Sequence, residues 1–552
     1  MRLSISIKWY LVADVLALAC TALRIRQWYF SRPLWLDEEM ILLNVRDRSV
    51  SDLVGNLWLD QAAPFGWLAL QRVIMTLFGA DDRSVRALPV LCGIAVIWVA
   101  WWMARRWMNP LAAAAFVGFC GFGQWMNHYA LEAKAYSADA FLALALPALT
   151  IWATETGTER PLHLRRTAIW WGVAAAAQWF SYGATLVTPA CAVVLCATAW
   201  RRARWRAATI VASQGLIWLA SFGAHYWLSI QDASSDEYLR NYWAAGFPPA
   251  AAGAATSLMW LANQAKPLAS HPGGTALWLP FWLAAGYGTA KLLLKRPVVG
   301  LVILFVPVSG FLLALMRQAP LADRLALWTT PALYAAVAIA VGDVLEHRRP
   351  ERSLRAWAVF GMAIVFTLVA WRVSADLISR GRDGVFLARD NHGLDDARGM
   401  RLLMRQRQPG DVLLTTHFGL PAVWWYGDVD VSDPHQGARF PDGAPLFEVR
   451  HVGFGVEGCR RSTQLRALSI AFVGAPRAMV FLGFDSNSPL GFQQMVLDHL
   501  ARLGARTFYS RVESEGIVAI YDLRVPPDSP VEDQDQRPAL TGCVSTRPAR
   551  RW

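Results

Sequence analysis

Lysine is nearly missing from this chain: Lys8, Lys134, Lys266, Lys291 and Lys295 stand against 48 arginines in 552 residues. Charge is scarce as well, with Asp, Glu, Lys and Arg at 17% of the chain and hydrophobic residues at 55%. A chain so long and so apolar exceeds what one water-soluble core accommodates, which excludes a single soluble domain. The net charge of +12 would suit a nucleic-acid binder, but the basic residues are placed wrongly for one. Their densest clusters, Arg105-Arg106, Arg165-Arg166, Arg201-Arg202-Arg204-Arg206, Lys295-Arg296 and Arg348-Arg349-Arg352-Arg355, sit between apolar runs, as positive-inside markers do. The arginine-for-lysine bias points to a high-GC bacterial source. Cysteine is thin too. Cys20, Cys92, Cys120, Cys191 and Cys196 fall inside apolar runs, where they read as small packing residues. Cys459 and Cys543 fall in the C-terminal part, where export permits a disulfide; the sequence leaves their pairing open.

What the chain has in abundance is apolar runs near the roughly 20 residues that a helix needs to cross a bilayer. They lie at about 9–29, 84–104, 111–128, 137–153, 167–183, 184–200, 207–229, 273–294, 298–316, 325–345 and 356–373, about eleven spans. The first is long, lacks an A-x-A-like cleavage site and is followed by more, so it reads as a retained helix rather than a signal peptide. With the N-terminus cytoplasmic, every basic cluster falls on the cytoplasmic side. The 31–83 loop, residues 128–136, 230–272 and 317–324 and the C-terminus then lie outside. This expects a multi-pass protein of the bacterial inner membrane with a periplasmic C-terminal domain.

The 31–83 loop is too long for a plain connector. Its stretch PFGWLALQRVIMTLFG (64–79) is short for a span and interrupted by Gln71 and Arg72, and reads as a helix lying in the membrane interface. A true span there would invert every later loop and put the arginine clusters outside. From about residue 374 short β-type runs alternate with turn signals and one helical pattern near 490–503, which expects an extracytoplasmic α/β domain over 374–525. The polar, proline-rich end, 526–552, expects a disordered tail. Two further signals are set aside. GFGVEG (453–458) lacks the acid about 20 residues on that a dinucleotide fold would supply. Asp428, Asp430, Asp433 and His435 match neither a calcium nor a zinc spacing.

The chemistry concentrates at outer junctions. SRPLWLDEEM (31–40) sets Asp37, Glu38 and Glu39 directly after the first apolar run, where ionised carboxylates are costly unless solvated, paired or bound to a cation. HYALEAKAYSADAF (128–141) brings Glu132, Lys134, Tyr136 and Asp139, and APLADRLALWTTPALY (319–334) brings Asp323 and Arg324. Blander readings exist for each: a solvated loop paired to Arg32, a local Glu132–Lys134 pair with Tyr136 in an aromatic belt, and a snorkelling arginine.

In this order the motifs LWLDEE, DQAAPFGWLALQRVIMTLFGADDRSVRALPVLCG, HYALEAKAYSADAFLAL and ADRLALWTTPALY resemble the GT-C membrane glycosyltransferases, especially their bacterial protein-mannosyltransferase and aminoarabinose-transferase-like branch, over residues 1 to about 345. The resemblance implies a mostly α, polytopic catalytic domain over 1–373 followed by the α/β domain. It further implies transfer of a sugar from a polyprenyl-phosphate donor to a lipid, polysaccharide or protein acceptor on the outer face, as in cell-envelope glycosylation. Asp37 stands at the family's first-loop catalytic position. A hydroxyl acceptor needs a general base, and a phosphate leaving group needs cationic stabilisation. The expected roles are Asp37 as base in a single inverting displacement and Glu38 as its orienting or cation-binding neighbour. Lys134 and Arg324 are expected as phosphate contacts, with Arg86 and Lys266 as further donor contacts. No cofactor motif is present; a divalent cation, held by Asp37 and Glu38, stays open. The chain departs from the family in reading QAAPFG where relatives often carry a basic or histidine residue before Pro-Pro. It also reads EAKAYS for EARPYA, placing a point charge where a planar fork is usual. A transporter or flippase of lipid-linked glycans is the rival reading, but it calls for charges at span midpoints and paired broken helices, and neither is evident. The third, a silent scaffold, is argued against by the retained Asp37-Glu38 pair.

Overall fold

The computed structural model describes residues 5–155, 162–232, 236–250, 253–347, 396–416, 418–427, 429, 440–452, 472, 474–483, 492–512, 516–525 and 543–548. The chain forms two compact units. One comprises residues 1–32 and 48–389, the other residues 33–47 and 390–552. The expected division near residue 373 places the whole first loop in the membrane domain; instead residues 33–47 leave it.

The first unit is helical. Its labelled helices are α1 (Ile5–Tyr29), α3 (Phe65–Phe78), α4 (Ala87–Trp107), α5 (Pro110–Phe122), α6 (Gln124–Tyr129), α7 (Tyr136–Thr154), α8 (Leu164–Ala177), α9 (Tyr182–Ser213) and α10 (Leu216–His225). Helices Ala254–Ser270, Trp278–Lys295, Pro297–Leu315 and Thr330–His347 follow. Among the described residues, five stretches are suited by length and composition to cross a membrane: Ser84–Trp107, Tyr136–Thr154, Tyr182–Ile230, Pro297–Leu315 and Asp323–Glu346. The chain is a multi-pass membrane protein of mostly α class. The other expected spans within the described residues are helices too, but shorter or more polar; α1 carries Lys8, Asp14, Arg24 and Arg26 within its 25 residues. The expected span 356–373 lies outside the described residues.

Capping follows the sequence closely. Asn109, before Pro110, accepts from Ala112 N at 2.8 Å, and Ser181 accepts from Ala184 N at 2.9 Å, so each satisfies an orphan donor of α5 and α9. Two expected spans, 184–200 and 207–229, begin on one helix, α9. No loop parts them: the arginine-rich WRRARW carries a backbone break at Ala203 and Arg204, where Arg204 has φ 63° and ψ −168°. The expected outer loop 230–272 likewise contains the 17-residue helix Ala254–Ser270.

Helices pack where side chains are small. A Cβ on Gly121 would meet Cys20 Sγ, and one on Gly288 would meet the Ala336 carbonyl, so α5 closes on α1 and Trp278–Lys295 on Thr330–His347 at backbone distance. The basic ends gather. Arg105 pairs with Asp14 at 2.7 Å, Arg106 with Glu155 at 2.6 Å and Lys291 with Asp343 at 2.9 Å. Arg166 donates to the Glu155 carbonyl at 3.0 Å and Asn109 to Glu346 at 2.8 Å. The ends of α4 and α7 and the starts of α5 and α8 thus share one side of the bundle.

The second unit holds a six-stranded sheet of order β4-β5-β3-β1-β2-β6. Its strands are β1 (Val412–Thr416), β2 (Leu446–Val452), β3 (Arg477–Leu482), β4 (Ala505–Val512), β5 (Gly516–Asp522) and β6 (Cys543–Pro548). The pairs β1–β2 and β1–β3 are parallel and the rest antiparallel. The central strand VLLTT is buried throughout, as a strand covered on both faces must be. Residues 543–548 correct the expectation of a structureless tail: CVSTRP pairs along its whole length with β2, its alternating β-branched Val544 and Thr546 suiting an edge strand. Helix α2 (Leu36–Asp47) belongs to this unit and packs on helix Leu420–Tyr426. Cys459, GFGVEG and the residues Asp428, Asp430, Asp433 and His435 lie outside the described residues, and so do the side chain and pairing of Cys543.

Candidate active site residues

The three acids of the first loop form the opening turn of α2, where carboxylates meet the positive end of the helix dipole. Trp35 precedes the helix, and Glu38 reaches back to accept from Trp35 N at 3.3 Å while Glu38 N and Glu39 N bond the Trp35 carbonyl at 2.8 and 3.0 Å. This is the returning half of a capping box. Glu38 and Glu39 are fully buried, whereas Asp37 is partly exposed. Of the three, Asp37 is therefore the carboxylate a substrate can reach, and Glu38 orients the turn that carries it. Glu39 is buried along with the whole run from Glu38 to Val45. The pair fits a metal poorly, since Glu38 Oε2 is turned to a backbone donor. Among the described residues no group of three or more His, Cys, Asp or Glu side chains is placed to hold an ion.

The remaining candidates belong to the first unit. Residues 128–139 and 323–324 do come together there. Arg324 lies over the rings of Tyr136 and Trp243, with centroids at 5.8 and 5.2 Å, where cation–π attraction favours a guanidinium. Its neighbour Asp323, at φ 51°, is ion-paired to His271 Nδ1. His271 Nε2 in turn meets the Tyr129 hydroxyl at 2.6 Å, and its ring stacks on Trp125 with centroids 3.5 Å apart. Asp323 and Tyr129 thus flank the two nitrogens of the His271 ring beside Arg324. Lys134, 7% exposed, donates to Gln61 Oε1. Glu132 faces His128 at 3.4 Å, so the local Glu132–Lys134 ion pair is not the arrangement adopted.

Three further candidates sit apart from this group. Arg86 is buried, and its Nη1 donates to Ser31 Oγ at 2.9 Å, to the Asp82 carbonyl at 3.4 Å and to the Arg32 carbonyl. These three bonds tie Nη1 to the exit of α1. Asp139 accepts from Ser181 Oγ at 2.7 Å and Gly183 N at 2.9 Å. Its carboxylate thus meets the N-terminus of α9, where the helix dipole favours an anion. Lys266 is exposed on helix Ala254–Ser270, with no hydrogen bond or ion pair among the described residues. Sequence reasoning missed His271, Trp125 and Trp243, and left Tyr129 without a role. HPGG reads as a turn, and only the fold brings its histidine to Asp323.

Neither a protein-family model nor a curated protein sequence matches the chain. Solved structures do. ArnT from Cupriavidus metallidurans in the apo state aligns at TM-score 0.52 and 14% identity, covering 95% of this chain and 100% of that one. The same enzyme bound to undecaprenyl phosphate aligns at 0.49 and 14%, over 92% and 97%. The archaeal oligosaccharyltransferase AglB from Archaeoglobus fulgidus, in complex with an inhibitory peptide and a dolichol-phosphate, aligns at 0.45 and 11%, over 93% and 74%. The apo ArnT alignment, spanning both units, shows that this chain has the GT-C-type fold its motifs resemble.

Proposed function

We propose that the chain is a membrane glycosyltransferase that moves a sugar from a polyprenyl-phosphate donor to an acceptor on the extracytoplasmic face of a bacterial inner membrane. The observation that carries the reading is Asp37: of three acids opening α2 it alone keeps access to solvent, within a fold shared with ArnT over 95% of this chain. In this reading the Asp37 carboxylate takes the proton of an acceptor hydroxyl as that oxygen attacks the anomeric carbon from the face opposite the phosphate. The C–O bond to phosphate breaks, the configuration inverts, and the charge gathering on the phosphate is balanced by Lys134 and Arg324. Their donors differ: Arg324 offers a planar fork and Lys134 a point charge. The basic residues at the end of α4 and the start of α8, Arg105, Arg106, Arg165 and Arg166, support placing that side of the bundle in the cytoplasm, with the N-terminus inside and the C-terminal unit outside. Polyprenyl donors stay in the bilayer, and Trp243, Tyr136 and Trp125 suit the interfacial depth at which a carrier presents its phosphate.

The test is transfer from mannosyl- and aminoarabinosyl-phosphoryl polyprenol by the full-length protein in membranes. Asp37→Asn, nearly isosteric, should lower kcat by at least a hundredfold, the usual weight of a general base, with little change in donor KM. Wild-type turnover by a folded Asp37→Asn protein removes the base.

A further inference from the structure

Helix α2 is held in place by the C-terminal unit through two hydrogen-bonded ties, one at each end. Before its first turn, Leu34 N donates to the Tyr426 hydroxyl at 2.9 Å. In its last turn, Arg46 sends Nη2 to the Trp424 carbonyl at 2.9 Å and Nη1 to the Trp425 carbonyl at 3.2 Å. Those carbonyls are among the last four of helix Leu420–Tyr426, which have no partner within their own helix. The guanidinium is steered onto them from two sides. Asp47 accepts from Nε at 2.7 Å and from Nη2 at 3.0 Å, and the Trp425 ring lies 4.6 Å below it. A cation at a helix C-terminus also meets the negative end of the dipole.

The short helix that supplies these groups is itself anchored in the sheet. It follows β1, where Gly419 N bonds Thr416 Oγ1 at 3.1 Å and Thr415 Oγ1 donates to the Phe481 carbonyl of β3 at 2.8 Å. A side chain on Gly419 would run into Thr415 and Gly483. Trp424 is 2% exposed. Both ties of α2 therefore end on a rigid element.

We propose that Tyr426 and Arg46 are positioning residues for Asp37, and that the C-terminal unit serves to fix the carboxylate of the first-loop helix. The inference rests on the reading of Asp37 as the base. General-base catalysis demands the carboxylate within hydrogen-bond reach of its proton, so a misplacement of about 1 Å costs about a hundredfold in rate without weakening the binding of the donor.

The experiment compares wild type, Tyr426→Phe, Arg46→Ala and Arg46→Lys, full-length in nanodiscs, by hydrogen–deuterium exchange of peptides covering 33–47 and by kcat and KM in the transfer assay. Tyr426→Phe removes one hydroxyl and should quicken exchange in α2 about five- to tenfold, the weight of one hydrogen bond. Arg46→Ala should exceed that. Both should lower kcat with donor KM unchanged, and Arg46→Lys, which keeps charge but not the fork, should restore part of the loss. Unchanged exchange in both Tyr426→Phe and Arg46→Ala overturns the clamp, and raised exchange with unchanged kcat overturns the positioning role. Should Arg46→Ala misfold, Tyr426→Phe decides alone. Wild-type turnover by Asp37→Asn would refute the base assignment, and the exchange data would still decide whether the C-terminal unit holds α2.

Discussion

Asp139 and Asp37 are both acids in the first turn of a helix, and the difference between them lies in their donors. Asp139 meets a hydroxyl and a backbone N–H at the head of α9; Asp37 stands partly open while the acids after it are buried. Asp139→Asn keeps one acceptor and should fold normally, whereas Asp139→Ala should lose about 1 kcal/mol, the weight of an N-terminal capping interaction, read as a lower melting temperature in detergent. Donor KM should not move in either; a raised KM would return Asp139 to the site. Arg324→Ala removes a fork lying over two rings and should raise donor KM about tenfold, the weight of a charge-assisted hydrogen bond, with kcat reduced less. A donor titration that matches wild type would exclude the phosphate role. Residue roles were the least legible part of the sequence. Arg86 and Asp139 draw notice in the sequence only as charges beside apolar runs, and their partners, 42 to 55 positions away, come only with the fold.

Elements were legible wherever hydrophobicity persists long enough to be read. The apolar runs of α4, α7 and Pro297–Leu315 name their own helices, and PFGWLALQRVIMTLFG gives the 14-residue α3, whose length of about 21 Å falls short of a bilayer core. Breaks are harder. WRRARW reads as the loop between two spans, yet the chain makes no loop there and instead places Arg204 in a conformation suited to glycine. A non-glycine residue in that region costs of order 1–3 kcal/mol. Arg204→Gly should therefore stabilise the protein by about 1 kcal/mol, visible as a higher melting temperature, while Arg204→Val should destabilise it. Equal melting temperatures for the two would show that the break carries no strain. The edge strand β6 escaped notice for a related reason: six residues inside a polar, proline-rich stretch lack the hydrophobic signal, and β2 supplies the ladder that makes them a strand.

At the scale of the whole molecule, the mostly α membrane class and the GT-C-type fold were readable from composition and from four motifs in order. The membership of residues 33–47 was not, because contacts between segments more than 340 positions apart leave no periodicity in either. The second unit also carries a titration of its own. His499, on helix Phe492–Ala501, is pushed down to about 4, first by burial and then by the nearby Arg502 charge. Folded protein thus keeps this histidine neutral where unfolded chain, titrating near 6.5, takes up a proton. Its contribution to stability is complete above about pH 6.5 and is lost as pH falls toward 4, by at most tenfold in the folding equilibrium per pH unit. Denaturation midpoints of wild type and His499→Gln, measured between pH 7 and 4, should converge as the solution becomes acidic. A gap that stays constant would mean the histidine is protonated in both states or neither.

The second unit is discontinuous: residues 33–47 belong with chain that begins again at residue 390. During synthesis the acid-bearing segment emerges early, but the helix that receives Arg46 is translated only after all the membrane helices described here. Loop closure over such a distance is slow, so the carboxylate-bearing element is among the last to settle. An unfinished molecule would carry its first-loop acids on an element not yet fixed, and the role proposed for Asp37 would wait on the completed C-terminal unit.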